Sequence, residues 1–443
     1  MSISRSLYLT NRFFYAAGFL ILLMALSYAL PVLFSVTKTA CILFLLLCVL
    51  DAVLLYSKKT NVTVERSTSP VLSLGDDNDI ELSITNQSRI PLHIELIDEL
   101  PEQFQKRDFM IRLQLASGAT EKSKYVLRPL TRGEYYFGKV QAYVTSSIGI
   151  LKKRVSTASN VNLPVYPSIL QMKRYELKAF AKTATEYGIK KVRRIGHSYE
   201  FEHIKQYNRG DDYRSINWKA TGRRAQLMVN QYEDEKSQQV YAIIDKSRVM
   251  HMPFGGMSLF DYAVNASLVI SNIVLGKHDK AGLITFAEKP KALVKADRSK
   301  KHLKRILETL YNEKEGAVEA NYEGLYQAVR GFVRGRSLLF LYTNFESTYA
   351  LHRALPQLRK LNDQHLLIVI FFENTEIRPE ASKNVETLED IYAQVTAETY
   401  ILTKIQLVQQ LRQFGIISIL TKPENLTVNT INKYLELKSR GMI

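Results

Sequence analysis

Two stretches of this sequence concentrate the residue types that do chemistry. The first runs Gly196-His-Ser-Tyr-Glu200-Phe201, then Tyr207-Asn-Arg-Gly210-Asp211-Asp212-Tyr-Arg214-Ser-Ile216-Asn217-Trp218-Lys-Ala-Thr221-Gly-Arg223-Arg224. Gly210 permits the positive φ of a tight turn. Asp211 and Asp212 can accept bonds from turn amides or pair with Arg214, Arg223 or Arg224. Trp218, the only tryptophan, supplies a large apolar surface for docking onto the domain that follows. Such a stretch can lock a linker to the next domain through an Arg–Asp network. It can also serve as a partner-binding surface, and the two uses are compatible. An acid–base role for Asp211, Asp212 and Arg214 is the enzymatic alternative. The second stretch is Asp245-Lys246-Ser247-Arg248-Val249. Asp245 and, much later, Thr343 each close an apolar run that reads as a buried strand. The carboxyl ends of parallel strands are where ligands of α/β sheets usually sit.

Other chemistries find no support. The eight histidines are scattered without HExxH or paired-ligand spacing. No Walker-type phosphate loop occurs, so the chain is not expected to hydrolyse ATP. No serine stands in a Gly-x-Ser-x-Gly turn. His197, beside Ser198 and Glu200, reads as part of a solvated polar loop. Cys41 and Cys48 are the only cysteines and lie within an apolar run, which leaves no disulfide framework or thiolate metal site elsewhere. The net charge of +17 suits either nucleic acid or an anionic membrane leaflet. The basic cluster Lys190, Lys191, Arg193 and Arg194 with Tyr187 has the same two readings. An apolar N-terminus tips both toward lipid, and no nucleic-acid partner is expected.

That N-terminus begins with Phe13 to Thr37, a run with no charged residue, followed by Ala40 to Tyr56. About 20 apolar residues cross a bilayer core as a helix. The pattern predicts a transmembrane hairpin over residues 1–59, with spans near 13–34 and 40–56 and a turn at Ser35 to Thr39. Pro31 can end or kink the first span. Arg5, Arg12, Lys58 and Lys59 flank the spans and only Lys38 lies between them, so the positive-inside rule puts both termini in the cytoplasm. Asp51, inside the second span, reads as an interfacial residue.

Residues 60–165 alternate apolar and polar side chains in Val62–Val64, Ile80–Ile84, Leu92–Leu96 and, more loosely, Tyr135–Val144, separated by turn signals. A small antiparallel β-sandwich is expected there. Residues 166–238 are weakly periodic and read as a connecting segment. From residue 239 strands alternate with helices. Strands are expected at 240–244, 281–286, 337–342, 365–372 and 416–420, with helices at 258–275, 301–310, 322–332, 388–414 (broken) and 423–437. This is an α/β domain with a mainly parallel sheet.

The signature at 196–224 resembles that of the domain-of-unknown-function 58 family: an acidic residue with Phe, Tyr-x-x-Gly-Asp, an Arg, Ile-Asp-Trp and Thr-Ala-Arg. Asn217, Gly222 and Lys205 depart from the usual Asp, Ala and Arg. The resemblance extends over the spans, the β region and a von Willebrand factor A-like domain. It implies a non-enzymatic, membrane-tethered adaptor in the bacterial inner membrane, soluble domains in the cytoplasm, with a MoxR-class AAA+ ATPase as partner and membrane lipids as surroundings. It further implies that Asp245, Ser247 and Thr343 correspond to a metal-ion-dependent adhesion site, whose oxygens suit Mg²⁺. Here Val249 replaces a serine, Glu319-Ala320-Asn321-Tyr322 offers no threonine, and Thr343-Asn344 lacks a carboxylate. The expectation is a degenerate site with no cofactor. The alternative is a metal-dependent ligand-binding receptor.

Overall fold

The protein is described from a computed structural model over residues 6–28, 30, 32–57, 61–106, 109–157, 160–180, 200–208, 213–224, 226–233, 237–377 and 387–442. The chain divides into two compact units, Met1–Tyr166 and Pro167–Ile443.

The first unit opens with a strand, β1 (Leu7–Leu9), before the apolar helices α1 (Asn11–Leu26) and α2 (Val32–Tyr56). By length and composition α2 is apolar enough to cross a membrane over Leu33–Tyr56, while α1 is a shorter apolar helix. Their outward side chains, among them Phe14, Phe19, Ile21, Leu45 and Leu46, are exposed. The turn between them falls at Ser27–Tyr28 and not at Ser35 to Thr39, which lie inside α2. The physical reason is visible at Thr37 and Thr39, whose hydroxyls donate to Leu33 O (2.7 Å) and Val36 O (2.8 Å). A hydroxyl satisfied by a carbonyl one turn back does not break a helix. Lys38 is therefore on α2 rather than in a loop, and Pro31 lies outside the described residues.

The rest of this unit is β-rich: β2 (Val62–Ser67), β3 (Leu72–Ser73), β4 (Asn78–Asn86), β5 (Leu92–Asp98), β6 (Met110–Leu115), β7 (Thr120–Leu127), β8 (Gly133–Phe137), β9 (Val140–Thr145), β10 (Leu151–Thr157) and β11 (Val161–Tyr166). They form three sheets, ordered β1-β10-β9-β5-β6, β2-β4-β7 and β3-β11-β8. Period-two alternation buries one face, as in β4 with Ile80, Leu82 and Ile84 inside. The expected single strand Tyr135–Val144 is two strands in different sheets, parted at Gly138-Lys139.

Asp51 is fully buried rather than interfacial. Its carboxylate accepts bonds from the Ser146 hydroxyl and from the amides of Ile150 (3.0 Å) and Leu151 (2.8 Å), closing the β9–β10 turn. From the other helix, the Thr10 hydroxyl donates to Gly149 O at 2.8 Å. Lys153 of β10 then caps α2, with Nζ 3.0 Å from Leu55 O.

The second unit begins with α3 (Ile169–Phe180), then β12 (Glu200–Gln206), α4 (Trp218–Arg224) and β13 (Met228–Glu233). Much of the expected connecting segment is thus ordered structure. The unit's main sheet uses β14 (Gln239–Asp245); after the short pair β15 (Pro253–Phe254) and β16 (Met257–Ser258) come α5 (Leu259–Gly276), β17 (Lys280–Phe286), β18 (Pro290–Asp297), α6 (Lys300–Asn312), α7 (Tyr322–Phe332), β19 (Leu338–Tyr342), α8 (Thr348–Gln364), β20 (Leu366–Phe372), α9 (Leu388–Gln413), β21 (Ile417–Thr421) and α10 (Leu426–Ser439).

The six-stranded sheet is ordered β18-β17-β14-β19-β20-β21, parallel except for the edge strand β18. Alternate residues of β14 feed two cores. Val240, Ala242 and Ile244 join α5 and α10 on one face; Tyr241 and Ile243 join α7, α8 and α9 on the other. The apolar α5 passes a length-and-composition test for a membrane span, but most of it is buried in this core. Among the elements packed in this sheet, α8 and β18 escape the sequence reading. Helix α8 has Pro356 in its interior, a residue that argues against helix, and β18 lies at the sheet edge with only one buried face. Helix α9 is continuous where breaks were expected.

Candidate functional site

Strand β14 is central, and the chain continues to β17 on one side and to β19 on the other. The strand order reverses there, at the carboxyl ends of β14 and β19, the place where open α/β sheets usually bind ligands. Asp245 is the last residue of β14 and Thr343 immediately follows β19. The structure brings both together with Ser247. All three are 0% exposed. Asp245 Oδ1 accepts from the Ser247 amide (2.9 Å), and Oδ2 accepts from the Thr343 hydroxyl (2.7 Å). The Tyr322 hydroxyl lies 2.8 Å from Thr343 Oγ1 and 3.5 Å from Asp245 Oδ2. Since Thr343 gives its proton to the carboxylate, it accepts from Tyr322.

Burial pushes the Asp245 carboxyl above its usual range, opposed by the bonds from Ser247, Thr343 and Tyr322. Burial, and then the Asp245 charge, hold the Tyr322 hydroxyl well above its ordinary value, so it remains a donor. Two ammonium groups complete the cluster. Lys404 of α9 donates to Asn344 Oδ1 (2.5 Å) and Phe345 O (2.6 Å). Burial lowers it to about 8, with the Glu346 charge opposing. Lys246 pairs with Glu313 at 2.8 Å, both side chains largely buried.

A hard divalent cation wants several oxygens and, for Mg²⁺, room for retained water. Of the Asp245, Ser247 and Thr343 side chains, the Ser247 hydroxyl is the one buried without a hydrogen-bond partner. The Asp245 oxygens are engaged, Val249 contributes no side-chain oxygen, and Asn344 is neutral and held by Lys404. Among the described residues no group of three or more His, Cys, Asp or Glu could hold a metal ion. The residues do not fit such an ion.

The signature stretch forms a separate surface. Strands β12 and β13 pair antiparallel, from Glu200 opposite Glu233 to Gln206 opposite Met228. Tyr207 continues the hairpin, its amide donating to Leu227 O at 2.8 Å. Asn217 caps α4, its Oδ1 accepting from the Ala220 amide at 3.0 Å, while its Nδ2 donates to Asn230 (2.8 Å). As cap acceptors Asn and Asp are alike, so the departure from the family's Asp keeps the cap, while the bond to Asn230 needs the amide. Thr221 Oγ1 accepts from the Met228 amide at 3.0 Å. Arg223 and Arg224 stand exposed in the last turn of α4. Trp218 corrects the expectation of docking onto the next domain: it is 71% exposed, and Tyr213, in the short turn before α4, is 68% exposed. Gly210, Asp211 and Asp212 lie outside the described residues, as do the side chains of Glu200, Phe201 and Arg214 and the basic cluster at 190–194.

Sequence reasoning missed Tyr322, Lys404 and Glu313. For Lys404 a signal existed, since it shares a helical stripe with Ala397, Leu407, Val408 and Leu411, all buried. For Tyr322 and Glu313 none did.

The second unit thus combines a mainly parallel α/β sheet, a closed polar cluster at its switch point, and a preceding hairpin that exposes Trp218. The family model "Protein of unknown function DUF58" matches residues 203–379, from within β12 through the strand-end cluster. That match covers less than half of the chain and is a similarity to the family over those residues. The chain is 24% identical over 245 residues to the uncharacterized protein YeaD of Bacillus subtilis (strain 168), covering 54% of this chain and 59% of that relative's length. Among solved structures, the conserved hypothetical protein BatB of Bacteroides thetaiotaomicron matches at TM-score 0.32 and 14% identity, over 46% of this chain and all of that one. Proximal thread matrix protein 1 from the mussel byssus matches at TM-score 0.27 and 10% identity, over 46% of each chain. At these scores neither likeness carries an argument.

Proposed function

We propose that this protein is a non-enzymatic adaptor tethered to a bilayer, in which a von Willebrand factor A-like α/β unit receives a partner protein. The observation that carries the reading is Trp218. A large aromatic side chain 71% exposed on a hairpin whose neighbouring Asn217 and Thr221 are used in holding its fold is a surface available to a partner. The tether is supported by the outward apolar side chains of α1 and α2. Family resemblance supplies the partner class, a MoxR-type AAA+ ATPase at the cytoplasmic face of the bacterial inner membrane. The ATPase would do the work, and this protein would give location or deliver substrate.

Crosslinking in native membranes followed by purification of the full chain tests this. Recovery of an AAA+ protein is expected, reduced about tenfold or more by Trp218→Ala, and the purified chain alone should show no ATP hydrolysis. Recovery of no ATPase would overturn the reading. The competing reading, a metal-dependent receptor, would need the buried Ser247 hydroxyl to join Asp245 in holding a cation that the engaged Asp245 oxygens do not fit. Heat on titrating Mg²⁺, abolished by Asp245→Ala, would support it.

A further inference from the structure

In the arrangement this unit resembles, a divalent cation would join the strand-end carboxylate to oxygens of the neighbouring loops. Tyr322 stands where such a loop would offer a threonine. Its backbone is fixed at the start of α7: the Asn321 amide donates to Ala287 O (2.8 Å), and Asn321 Oδ1 accepts from the Gly324 amide (3.0 Å). Its ring is fixed as well, stacked on Phe345 with centroids 5.5 Å apart and edge-on to Phe286 at 5.6 Å. Phe345 is in turn edge-on to Phe371 at 5.4 Å. The hydroxyl therefore cannot leave Asp245 and Thr343 without disrupting an aromatic ladder.

The second place is filled from α9. Lys404 Nζ bonds Asn344 Oδ1 and Phe345 O, with the Tyr400 ring 5.2 Å away. Asn344 is the position at which the resemblance leads one to expect a carboxylate. A neutral amide facing an internal ammonium is the consistent replacement for a carboxylate facing an external cation. Lys246, next in sequence to Asp245, adds a second buried ammonium, paired with Glu313. An entering divalent ion would meet like charge where the dielectric is low. It would also find no space for its water, since Asp245, Ser247 and Thr343 are 0% exposed.

We propose that this strand-end site is closed from within: the Tyr322 hydroxyl fills the place of a loop oxygen ligand, the Lys404 ammonium facing Asn344 replaces a divalent cation facing a second carboxylate, and the site works without metal. The proposal goes beyond the adaptor reading, which is carried by Trp218 and not by the strand ends. Its test needs no partner, so failure here and failure of the ATPase association are separately visible.

The full-length protein in detergent is titrated with MgCl₂ and MnCl₂ by calorimetry, and its thermal midpoint is compared in millimolar Mg²⁺, Mn²⁺ and EDTA. No binding heat and one common midpoint are expected. The variant Tyr322→Thr/Asn344→Asp/Lys404→Met should acquire an Mg²⁺-dependent rise in midpoint, abolished by adding Asp245→Asn. An Mg²⁺-dependent rise in the wild type that Asp245→Asn removes would overturn the proposal, whether or not the triple variant folds. A folded triple variant indifferent to Mg²⁺ would overturn the places assigned to Tyr322 and Lys404.

Discussion

At the residue scale, two buried titratable groups set opposite pH dependences on the second unit. Asp245 has a raised folded-state value, so the stability it contributes is full below the unfolded carboxyl value of 3.8 and is lost as pH rises toward the folded one. Asp245→Asn should flatten this loss, read as the thermal midpoint followed upward from pH 4 in both proteins. Lys404 runs the other way. Its value falls from 10.5 to about 8, so its contribution is present above 10.5 and lost as pH falls through about 8. The span is on the order of 3 kcal/mol. Denaturant unfolding from pH 7 to 10.5 should therefore show stability rising in the wild type and a flatter profile in Lys404→Met. An unchanged slope in that variant would remove Lys404 as the cause.

At the element scale, the apolar helices are folded into the β-rich unit and do not merely precede it. Strand β1 pairs along β10, from Leu7 opposite Lys153 to Leu9 opposite Leu151, and α2 supplies Asp51 to the β9–β10 turn. Replacing Asp51 with Ala leaves the buried Ile150 and Leu151 amides without their acceptor, a loss of about 1–3 kcal/mol. Thermal unfolding in micelles should show it, with Asp51→Asn intermediate because one acceptor oxygen remains. In the second unit, α4 has only Asn217 to begin it. Asn217→Ala should cost about 1 kcal/mol and Asn217→Asp less, since it keeps the cap and loses only the bond to Asn230, measured as amide exchange over β12, α4 and β13. Equal protection in all three proteins would argue that the cap is energetically idle.

At the scale of the whole molecule, each unit has its own interior. Residues 167–443, with two cores on the two faces of one sheet, should express without detergent and unfold cooperatively. Residues 61–166 alone should be unstable, because β1, Asp51 and the Lys153 cap on α2 are not independent of them. Circular dichroism melts of both fragments check this. Much of the α/β unit is legible in the sequence because apolar runs such as Val240–Ile244 and Leu367–Phe372 leave few alternatives to buried strands. Position along the chain likewise put Asp245 and Thr343 at strand ends. Less was legible where local and tertiary preferences disagree: α8 carries an internal proline, and α2 runs through serine and threonines that satisfy themselves on its own carbonyls. Sequence alone determined the apolar N-terminus, the alternation of strands and helices, and the signature, since these depend on local periodicity and residue type. Tertiary structure alone decided that Trp218 faces outward, that Asp51 belongs to a turn about a hundred residues away, and that Tyr322 and Lys404 close on Asp245 and Asn344. Those are choices of partner for a buried polar group, and a partner is fixed by how the elements pack rather than by which residues are its neighbours in the chain.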